Sequence, residues 1–402
     1  MVNPLFYPST KSPKPQISIP LLPTMSPNWK HIISLLAQKL GYKQLQDWQA
    51  NLTQKILDGN DIMLTAGTGQ GKSTLLLAPL LAKCEVDPKA VGLSIAPTKA
   101  LGEDQVCSAC SHFSVHQFLI PMFQAQSSTL KGLPGVAINE DSLHEAASET
   151  PSRHLFKEVL EWKWALIIVS PEMLITPGFN HVLTNSSFQQ HLSLVFVDEC
   201  HLVDEQGSDF WPCYKSIGLL RSRVPTHIPW VAVSATLPPG KTFDTVIESL
   251  GFRPNHYTHH TLPIDNHQIC YIPKILQHSV SGTSFLDLAW LIPSSTSSPH
   301  DITKTLIFCE TIELGSCVYD FLRCLLPQSL HKNREIILPY HSLLSKSGWT
   351  TVMENFKSGT TRVVVGTDCF TWGVDVPDIQ NVVVLGLSSS FSKLVQQIGR
   401  VG

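Results

Sequence analysis

DIMLTAGTGQGKST, the stretch from residue 61 to residue 74, decides the fold of this 402-residue chain. Its first five residues form an apolar run that predicts a buried strand, and KSTLLLAPLLAK after the turn predicts a helix. Between them Gly67, Gly69 and Gly71 allow the backbone to fold around phosphate groups with its N–H groups pointing inward. The start of the helix favours anions, and Lys72 supplies a point charge to the β and γ phosphates. The stretch therefore predicts a phosphate-binding loop between a parallel strand and a helix.

Further apolar runs are typical of strands buried on both faces of a parallel sheet. They are GLSIAP (92–97), ALIIVS (165–170), LSLVFVD (192–198), WVAVSA (230–235), KTLIFCE (304–310), EIILPYH (335–341), TRVVVGT (361–367) and NVVVLGL (381–387). Because 402 residues exceed what one core usually supports, and the pattern lapses near residue 253, we expect two α/β units in tandem. The predicted parts are a Pro-rich leader at 1–27, a first domain at 28–253, an inter-domain region at 254–300 and a second domain at 301–402.

Composition restricts the function less than the motifs do. The formal net charge is −3, so the whole-chain basic balance that would indicate a phosphate-backbone partner is absent, and a nucleic-acid contact must come from a local groove. The chain has no run of eighteen apolar residues and its N-terminus lacks an apolar signal segment, so we expect no membrane span and no secretion. Ten scattered cysteines favour reduced thiols in an intracellular compartment.

Two segments contain groups of metal-binding residue types. Cys107 and Cys110 form one close pair, but a tetrahedral zinc site needs four ligands, and a helix with two small apolar residues is the alternative. The polar segment NHYTHHTLPIDNH contains four histidines, for which solvated loop positions are the alternative: His256, His259, His260 and His267. We therefore expect no zinc in this chain.

VFVDECH, residues 195–201, delivers two adjacent carboxylates to the end of an apolar strand. Asp198 can hold Mg²⁺ through its water shell, and the Ser73 hydroxyl can coordinate the same ion. Glu199 can polarise an attacking water. An exposed acidic loop is the alternative, but four apolar residues precede Asp198 and a phosphate-binding loop lies upstream. Together the two motifs predict an enzyme that hydrolyses a nucleoside triphosphate with Mg²⁺.

Six further motifs follow the order found in superfamily-two helicases, and the chain resembles that superfamily. They are APTKALGEDQ (96–105), VSPEML (169–174), SAT (234–236), LIFCET (306–311), VVVGTDCFTWGVDVPDI (363–379) and QQIGRVG (396–402). The resemblance implies an α/β fold of two tandem RecA-like domains, with parallel sheets flanked by helices. In that superfamily the two domains close on ATP, which lies between them.

The resemblance also implies a role for each matching residue. Nucleotide contacts are implied for Gly67, Thr68, Gly69, Gln70, Gly71, Lys72, Ser73, Thr74, Gly373 and Asp375. Coupling between the nucleotide and strand sites is implied for His201, Ser234, Thr236 and Gln396, and neutralisation of transition-state charge for Arg400. Backbone contacts to a nucleic-acid strand, which position it without reading sequence, are implied for Pro97, Thr98, Ser170, Thr311 and Thr367.

Within the superfamily, LGYKQLQDWQ (40–49) is similar to the segment before the phosphate-binding loop of RecQ helicases. The similarity implies that Tyr42 stacks on adenine and that Gln49 reads its polar edge, which suits a π face and an amide. Gln46 stands where the family has Arg, which places one nucleotide contact in doubt.

CHLVDEQGSDFWPCYKSIGLLR (200–221) resembles the aromatic-rich loop that couples single-strand binding to hydrolysis in RecQ helicases. Phe210 and Trp211 are then available to stack on bases, with core packing as the alternative. The resemblance implies 3′-to-5′ unwinding of DNA, with single-stranded and branched DNA as partners, in the nucleus rather than the cytoplasm. It leaves RNA open as a substrate and identifies no protein partner.

The family pattern continues with a second arginine directly after Gly402, where this sequence stops. We therefore expect either a fragment of a longer protein or a degenerate copy, which binds ATP and single-stranded DNA but unwinds duplex poorly. Three functions stay open: a DNA helicase or translocase, an ATP- and nucleic-acid-binding module with little turnover, and an RNA helicase.

Overall fold

The computed structural model covers most of the chain. It describes residues 27–96, 132–205, 217–263, 268–280, 282–367, 369, 376, 378–388 and 390–401. The predicted leader therefore lies outside the described residues except for Pro27, which begins the first helix. Cys107 and Cys110 lie outside them as well. Within the described part of the chain, no helix is long and apolar enough to cross a membrane.

A seven-stranded sheet forms the first domain, and every strand pair in it is parallel. In chain order the strands are β1 Asp61–Thr65, β2 Val91–Ile95, β3 Gly135–Ile138, β4 Leu166–Val169, β5 Leu192–Val197, β6 Trp230–Ser234 and β7 Tyr257–Thr261. In space they follow the order β3-β4-β2-β5-β6-β1-β7. Because all seven run the same way, their carboxyl ends and the loops after them meet along one edge.

Helices cover both faces of this sheet. They are α1 Pro27–Lys39, α2 Asp47–Leu57, α3 Thr74–Val86, α4 Glu140–Ser148, α5 Leu155–Leu160, α6 Pro177–Thr184, α7 Ser186–His191, α8 Leu202–Glu205 and α9 Lys241–Ser249. Two core clusters result, since alternate strand residues point to opposite faces. One contains Leu36, Leu52 and Leu76 of the first three helices, and the other contains Phe179 and Phe188.

A smaller four-stranded parallel sheet forms the second domain, in the order β11-β8-β10-β9. Its strands are β8 Thr305–Cys309, β9 Ile337–Tyr340, β10 Val363–Gly366 and β11 Asn381–Leu385. Its helices are α10 Ile312–Leu325, α11 Lys346–Ser358 and α12 Phe391–Ile398. This sheet also has a core cluster on each face, with Val363 and Val365 in one and Val364 in the other. The chain thus has the two parallel, helix-flanked sheets of tandem RecA-like domains.

The structure corrects the start of the inter-domain region. The polar run YTHHT, which the sequence analysis assigns to that region, forms β7 and pairs in parallel with β1. Its polar residues suit a strand at the sheet edge, where side chains remain partly exposed. His259 packs against Phe243 and His260 stacks on Trp48, with ring centroids 4.6 Å and 6.2 Å apart. The first domain therefore extends to Thr261, beyond the predicted limit at residue 253.

The described residues contain no group of three or more His, Cys, Asp or Glu side chains arranged to hold a metal ion. His259 and His260, two of the four histidines in the candidate polar segment, face opposite sides of β7 and pack on different aromatic rings. Adjacent residues of a strand point to opposite faces, so these two side chains do not converge on one ion.

Candidate nucleotide and coupling site

The predicted phosphate-binding loop connects β1 to α3. Gly69 and Gly71 have φ angles of +76° and +80°, in the left-handed region that favours glycine. The Lys72 ammonium donates to the carbonyl oxygens of Ala66 and Gly67, at 3.0 and 3.1 Å. Ser73 precedes the first residue of α3 and is exposed. The loop therefore combines backbone donors, one cation and one hydroxyl at the start of a helix.

Strand order brings the DECH segment to this loop. β6 lies between β1 and β5, with Thr65 beside Ser234 and Ala232 beside Val197. The Ala66 N–H donates to the Ser234 carbonyl, at 3.0 Å. One edge of one sheet consequently holds the phosphate-binding loop, the SAT segment and the two carboxylates. About 170 residues of sequence separate the phosphate-binding loop from the SAT segment.

Asp198 and Glu199 are held by local backbone geometry. The Glu199 N–H donates to Asp198 Oδ1, at 2.9 Å. Glu199 has a φ angle of +45°, which is unusual for a residue with a Cβ and is found most often at functional sites. Its Oε2 lies 3.4 Å from His201 Nδ1. The turn therefore holds two consecutive carboxylates at the sheet edge, with that of Glu199 beside His201.

Cys200 lies inside the core between the carboxylates and His201. Burial, followed by the charges of Glu199 and Asp198, raises the pKa of this thiol well above its usual range. The thiol therefore stays protonated beside the acidic pair. A protonated thiol is a poor metal ligand and a poor nucleophile, so Cys200 acts here as a small apolar side chain.

A buried hydrogen-bonded chain starts at the SAT segment and leads to the second domain. Gln396 Nε2 lies within hydrogen-bond distance of His201 Nε2, at 3.3 Å. His201 Nδ1 and Ser234 Oγ are hydrogen-bonded at 2.9 Å, and that oxygen also accepts from the Thr236 N–H, at 3.1 Å. All four residues are less than 9% exposed. Three of the residues predicted to couple the two sites are thus joined side chain to side chain, and Thr236 joins through its backbone.

The helix carrying Gln396 approaches the phosphate-binding loop closely. A Cβ at Gly399 would lie 3.1 Å from Thr68 Oγ1, so glycine permits this approach of the two domains. Arg400 follows directly and is half-buried. The C-terminal end of α12 therefore lies against the loop to which the resemblance assigns the nucleotide phosphates.

The amide of Gln49 makes three hydrogen bonds within the protein. Its Nε2 donates to the Gly71 carbonyl and to Thr74 Oγ1, at 3.2 and 3.3 Å. Its Oε1 accepts from the Gln46 N–H, at 3.0 Å, which closes a capping box at the start of α2. Gln49 is 5% exposed, whereas Tyr42 is 41% exposed. Of the two residues predicted to contact adenine, Gln49 is thus buried and Tyr42 is exposed to solvent.

Two side chains near this site make contacts with β7 and the segment after it that the sequence analysis did not predict. Trp48 lies next to Gln49 and stacks on His260 of β7. Gln70 donates from Nε2 to the Pro263 carbonyl, at 2.9 Å, and so joins the phosphate-binding loop to the segment after β7. No sequence motif indicated these contacts, because β7 itself was not recognised as a strand.

The predicted strand-binding residues are only partly described. Thr311 is exposed and caps α10 by accepting from the Leu314 N–H, at 3.1 Å. Thr367 is half-buried after β10, and Ser170 is 3% exposed after β4, so the Ser170 hydroxyl does not reach the surface in this conformation. The remaining predicted residues of the nucleotide and strand sites lie outside the described part of the chain: Pro97, Thr98, Phe210, Trp211, Gly373 and Asp375.

Two family models match the chain and cover the two domains in turn. A DEAD/DEAH box helicase model matches residues 46–245, and a helicase conserved C-terminal domain model matches residues 287–402. The first match contains the phosphate-binding loop and the DECH segment. The second contains all four strands of the smaller sheet and the helix with Gln396.

Similar proteins include helicases of the RecQ family. ATP-dependent helicase wrn-1 of Caenorhabditis elegans is 26% identical over 92% of this chain and 31% of its own length. ATP-dependent DNA helicase RecQ of Pasteurella multocida is 23% identical over 92% of this chain and 50% of its own length. The chain thus spans between about a third and a half of the length of these two relatives.

Solved structures support the fold. The helicase MrfA bound to DNA and AMPPNP aligns with a TM-score of 0.65 and 18% identity, over 92% of this chain and 48% of that one. Dbp5 of S. cerevisiae bound to RNA and ADP BeF3 aligns with a TM-score of 0.60 and 14% identity, over 92% of this chain and 84% of that one. With both family models matched, the chain belongs to the superfamily-two DEAD/DEAH-box helicases, a family of ATP-hydrolysing enzymes, and is RecQ-like in sequence.

Proposed function

We propose that this chain is the motor core of a RecQ-type helicase, which couples ATP hydrolysis to 3′-to-5′ movement on DNA and to strand separation. The observation that carries the proposal is the buried chain from Ser234 through His201 to Gln396. It joins the strand end beside the hydrolytic carboxylates to a helix of the other domain. A contact of this kind lets a change at the nucleotide alter the relation of the two domains.

The residues at the sheet edge fit a magnesium nucleoside triphosphate. The Gly-rich loop offers backbone N–H groups, Lys72 offers a mobile cation, and Ser73 and Asp198 offer oxygen ligands. The ion would neutralise charge that develops on the transferred phosphoryl group. In this proposal Glu199 orients and polarises the attacking water, and the hydrogen bond from its backbone N–H to Asp198 holds the turn that carries it.

Domain closure gives hydrolysis a mechanical consequence. Gln396 and Gly399 belong to the second domain but lie against His201 and against Thr68 of the phosphate-binding loop of the first. If the two domains bind ATP together and ADP less tightly, hydrolysis weakens the closed state. Alternating closure and opening then moves strand contacts on one domain relative to those on the other.

DNA is favoured as the substrate by the similarity to RecQ-family relatives, one of which is named a DNA helicase. RNA is the alternative, since a solved structure of similar fold carries RNA. Contacts to a sugar-phosphate backbone do not by themselves distinguish the two, because both polymers present phosphates.

The test is a comparison of ATP hydrolysis with single-stranded DNA and RNA of the same sequence and length. We expect DNA to stimulate turnover at least tenfold more than RNA, a difference of about 1.4 kcal/mol. Equal stimulation would support an RNA-competent motor, and no stimulation by either strand would contradict the proposed function. Duplexes with a 3′ or a 5′ single-stranded tail then test direction. Displacement from the 5′-tailed duplex alone would contradict the RecQ assignment.

A further inference from the structure

The end of β7 runs beside the strand from which the phosphate-binding loop starts. β7 pairs with β1 up to Thr65, and the Leu262 N–H continues this ladder by donating to the Thr65 carbonyl, at 2.8 Å. From Leu262 the chain leads to β8 of the second domain, and we refer to residues 262–304 as the connecting segment. The first residues of the connecting segment therefore lie next to the phosphate-binding loop.

One side chain of the loop contacts the connecting segment directly. Gln70 Nε2 donates to the Pro263 carbonyl, at 2.9 Å. A carbonyl oxygen can only accept, so the nitrogen of the Gln70 amide is the atom that faces Pro263. Gln70 lies between Gly69 and Gly71, the two glycines at which the loop has left-handed backbone. A displacement of this part of the loop consequently alters a hydrogen bond to the connecting segment.

Side chains of α2 hold β7 without involving the loop. Lys55 Nζ donates to Thr258 Oγ1, at 3.3 Å, and the ring of Trp48 stacks on that of His260. These contacts fix the strand itself against a neighbouring helix. Gln70 differs from them, because it joins the connecting segment to the element that is proposed to bind phosphates.

A bound nucleotide and the Gln70 contact order the same few residues. Phosphates fix the loop by accepting from its backbone N–H groups and from Lys72. The bond to Pro263 fixes the loop through the Gln70 side chain. Each event lowers the entropy cost of the other, because a segment that is already ordered loses less freedom in a second binding step. Coupling of this kind is reciprocal, so the connecting segment also influences nucleotide affinity.

We propose that Gln70 is a positioning residue through which the phosphate-binding loop orders the connecting segment when a nucleotide binds. This inference rests on the proposed nucleotide site. It adds a second route between the domains to the direct contact of Gln396 with His201. Because the route through Gln70 follows the chain itself, it does not require the two domains to be closed. A nucleotide thus restricts the connection between the domains even when α12 is withdrawn from the first domain.

The test measures amide hydrogen exchange of residues 257–263 in the 402-residue chain, with and without AMPPNP and Mg²⁺. In the parent protein we expect AMPPNP to slow this exchange about fivefold, the factor given by one ordinary hydrogen bond. Exchange of β3, at the other edge of the same sheet, should stay unchanged and serves as the internal control. An equal effect of AMPPNP on β3 and on residues 257–263 would overturn the inference, since it would reflect general stabilisation of the domain.

Gln70→Met separates positioning from two simpler roles. Methionine keeps the length of the side chain and removes the donor, so we expect faster exchange of residues 257–263 in the free protein and no slowing by AMPPNP. By reciprocity, the dissociation constant of AMPPNP should rise about fivefold. If Gln70 only stabilised β7, AMPPNP would still slow exchange by the parent's factor. If Gln70 only contacted the nucleotide, affinity would fall without a change of exchange in the free protein. Either result overturns the inference.

Lys55→Met is the matched control, because it also removes one side-chain hydrogen bond to β7 but leaves the loop intact. It should speed exchange of residues 257–263, while the slowing by AMPPNP remains as large as in the parent. Loss of that slowing in Lys55→Met would assign the effect to β7 and overturn the role of Gln70. Displacement of a fluorescent ADP analogue measures AMPPNP binding in parallel. No displacement from the parent would contradict the nucleotide site itself, whereas binding without slower exchange would contradict this inference alone.

Discussion

Both sheets are parallel, but the polar side chains at their carboxyl-terminal edges differ in how far they are buried. At the edge of the seven-stranded sheet, Ser234 and His201 are 0% and 2% exposed and take part in a connected polar network. At the edge of the four-stranded sheet, Thr311 is exposed and Thr367 is half-buried. Gln396 of α12 reaches His201 of the first domain, and Gly399 directly after α12 lies against Thr68.

This difference indicates that the two domains have different roles. A buried polar group is stable only when it is hydrogen-bonded, so a network such as Ser234–His201–Gln396 is sensitive to small displacements. An exposed hydroxyl tolerates displacement, because water replaces any partner it loses. We infer that the first sheet holds the chemistry in fixed geometry, and that the second domain acts by presenting or withdrawing one helix.

We expect the largest effect from a substitution that removes the proposed hydrolytic base at the edge of the first sheet. Glu199→Gln keeps size and shape but removes the base, so we expect hydrolysis to fall by about 10²–10⁴-fold with ATP binding retained. Phosphate release measures the first quantity and competition with a fluorescent nucleotide the second. Glu248→Gln, on the exposed end of α9, is the control. Unimpaired phosphate release would remove Glu199 from the mechanism.

Lys72→Ala comes next and addresses the phosphate-binding loop. It removes the cation that the loop itself supplies, so we expect turnover to fall by about 10²–10³-fold. Circular dichroism should show that the fold is unchanged. Lys83→Ala, in the last turn of the helix α3 that follows the loop, should behave as the parent does. Near-normal turnover of Lys72→Ala would mean that the nucleotide lies elsewhere.

The contact between the two domains is tested by neighbouring glutamines. Gln396→Ala removes the bond to His201, and we expect strand-stimulated hydrolysis to fall about fivefold, the value of one ordinary hydrogen bond. Gln397→Ala removes a bond of 2.6 Å to Ser388 within the second domain. It should lower the melting temperature without lowering stimulation. Equal losses of stimulation in both variants would assign the effect to folding rather than to coupling.

The smallest effect concerns the edge strand β7. Burial lowers the pKa of His259 and of His260 below the ordinary value of about 6.5. The folded form therefore resists protonation, so stability is complete above that value and is lost as pH falls from about 6.5 toward the lowered pKa. We expect His260→Phe, which keeps a ring against Trp48, to reduce the fall in Tm between pH 7.5 and 5.5 by about 1 °C. An unchanged slope would show that His260 titrates normally.

Much of the architecture followed from local sequence. Apolar runs such as LSLVFVD and WVAVSA predict strands because a segment buried on both faces must be apolar along its whole length. Local sequence also predicts the strand, Gly-rich turn and helix of residues 61–86, because phosphate binding requires left-handed backbone at Gly69 and Gly71. The order of the motifs along the chain is enough to identify the superfamily.

Tertiary structure alone decided which residues meet. The polar run YTHHT does not resemble a strand, since an edge position needs no apolar alternation, and only pairing with β1 makes it one. The sequence identifies the amide of Gln49, but only the fold shows that it contacts Gly71 and Thr74. The sequence determined which groups carry the chemistry, because residue type and local spacing are local properties. Their partners depend on contacts between segments as far apart as His201 and Gln396, which only the folded chain brings together.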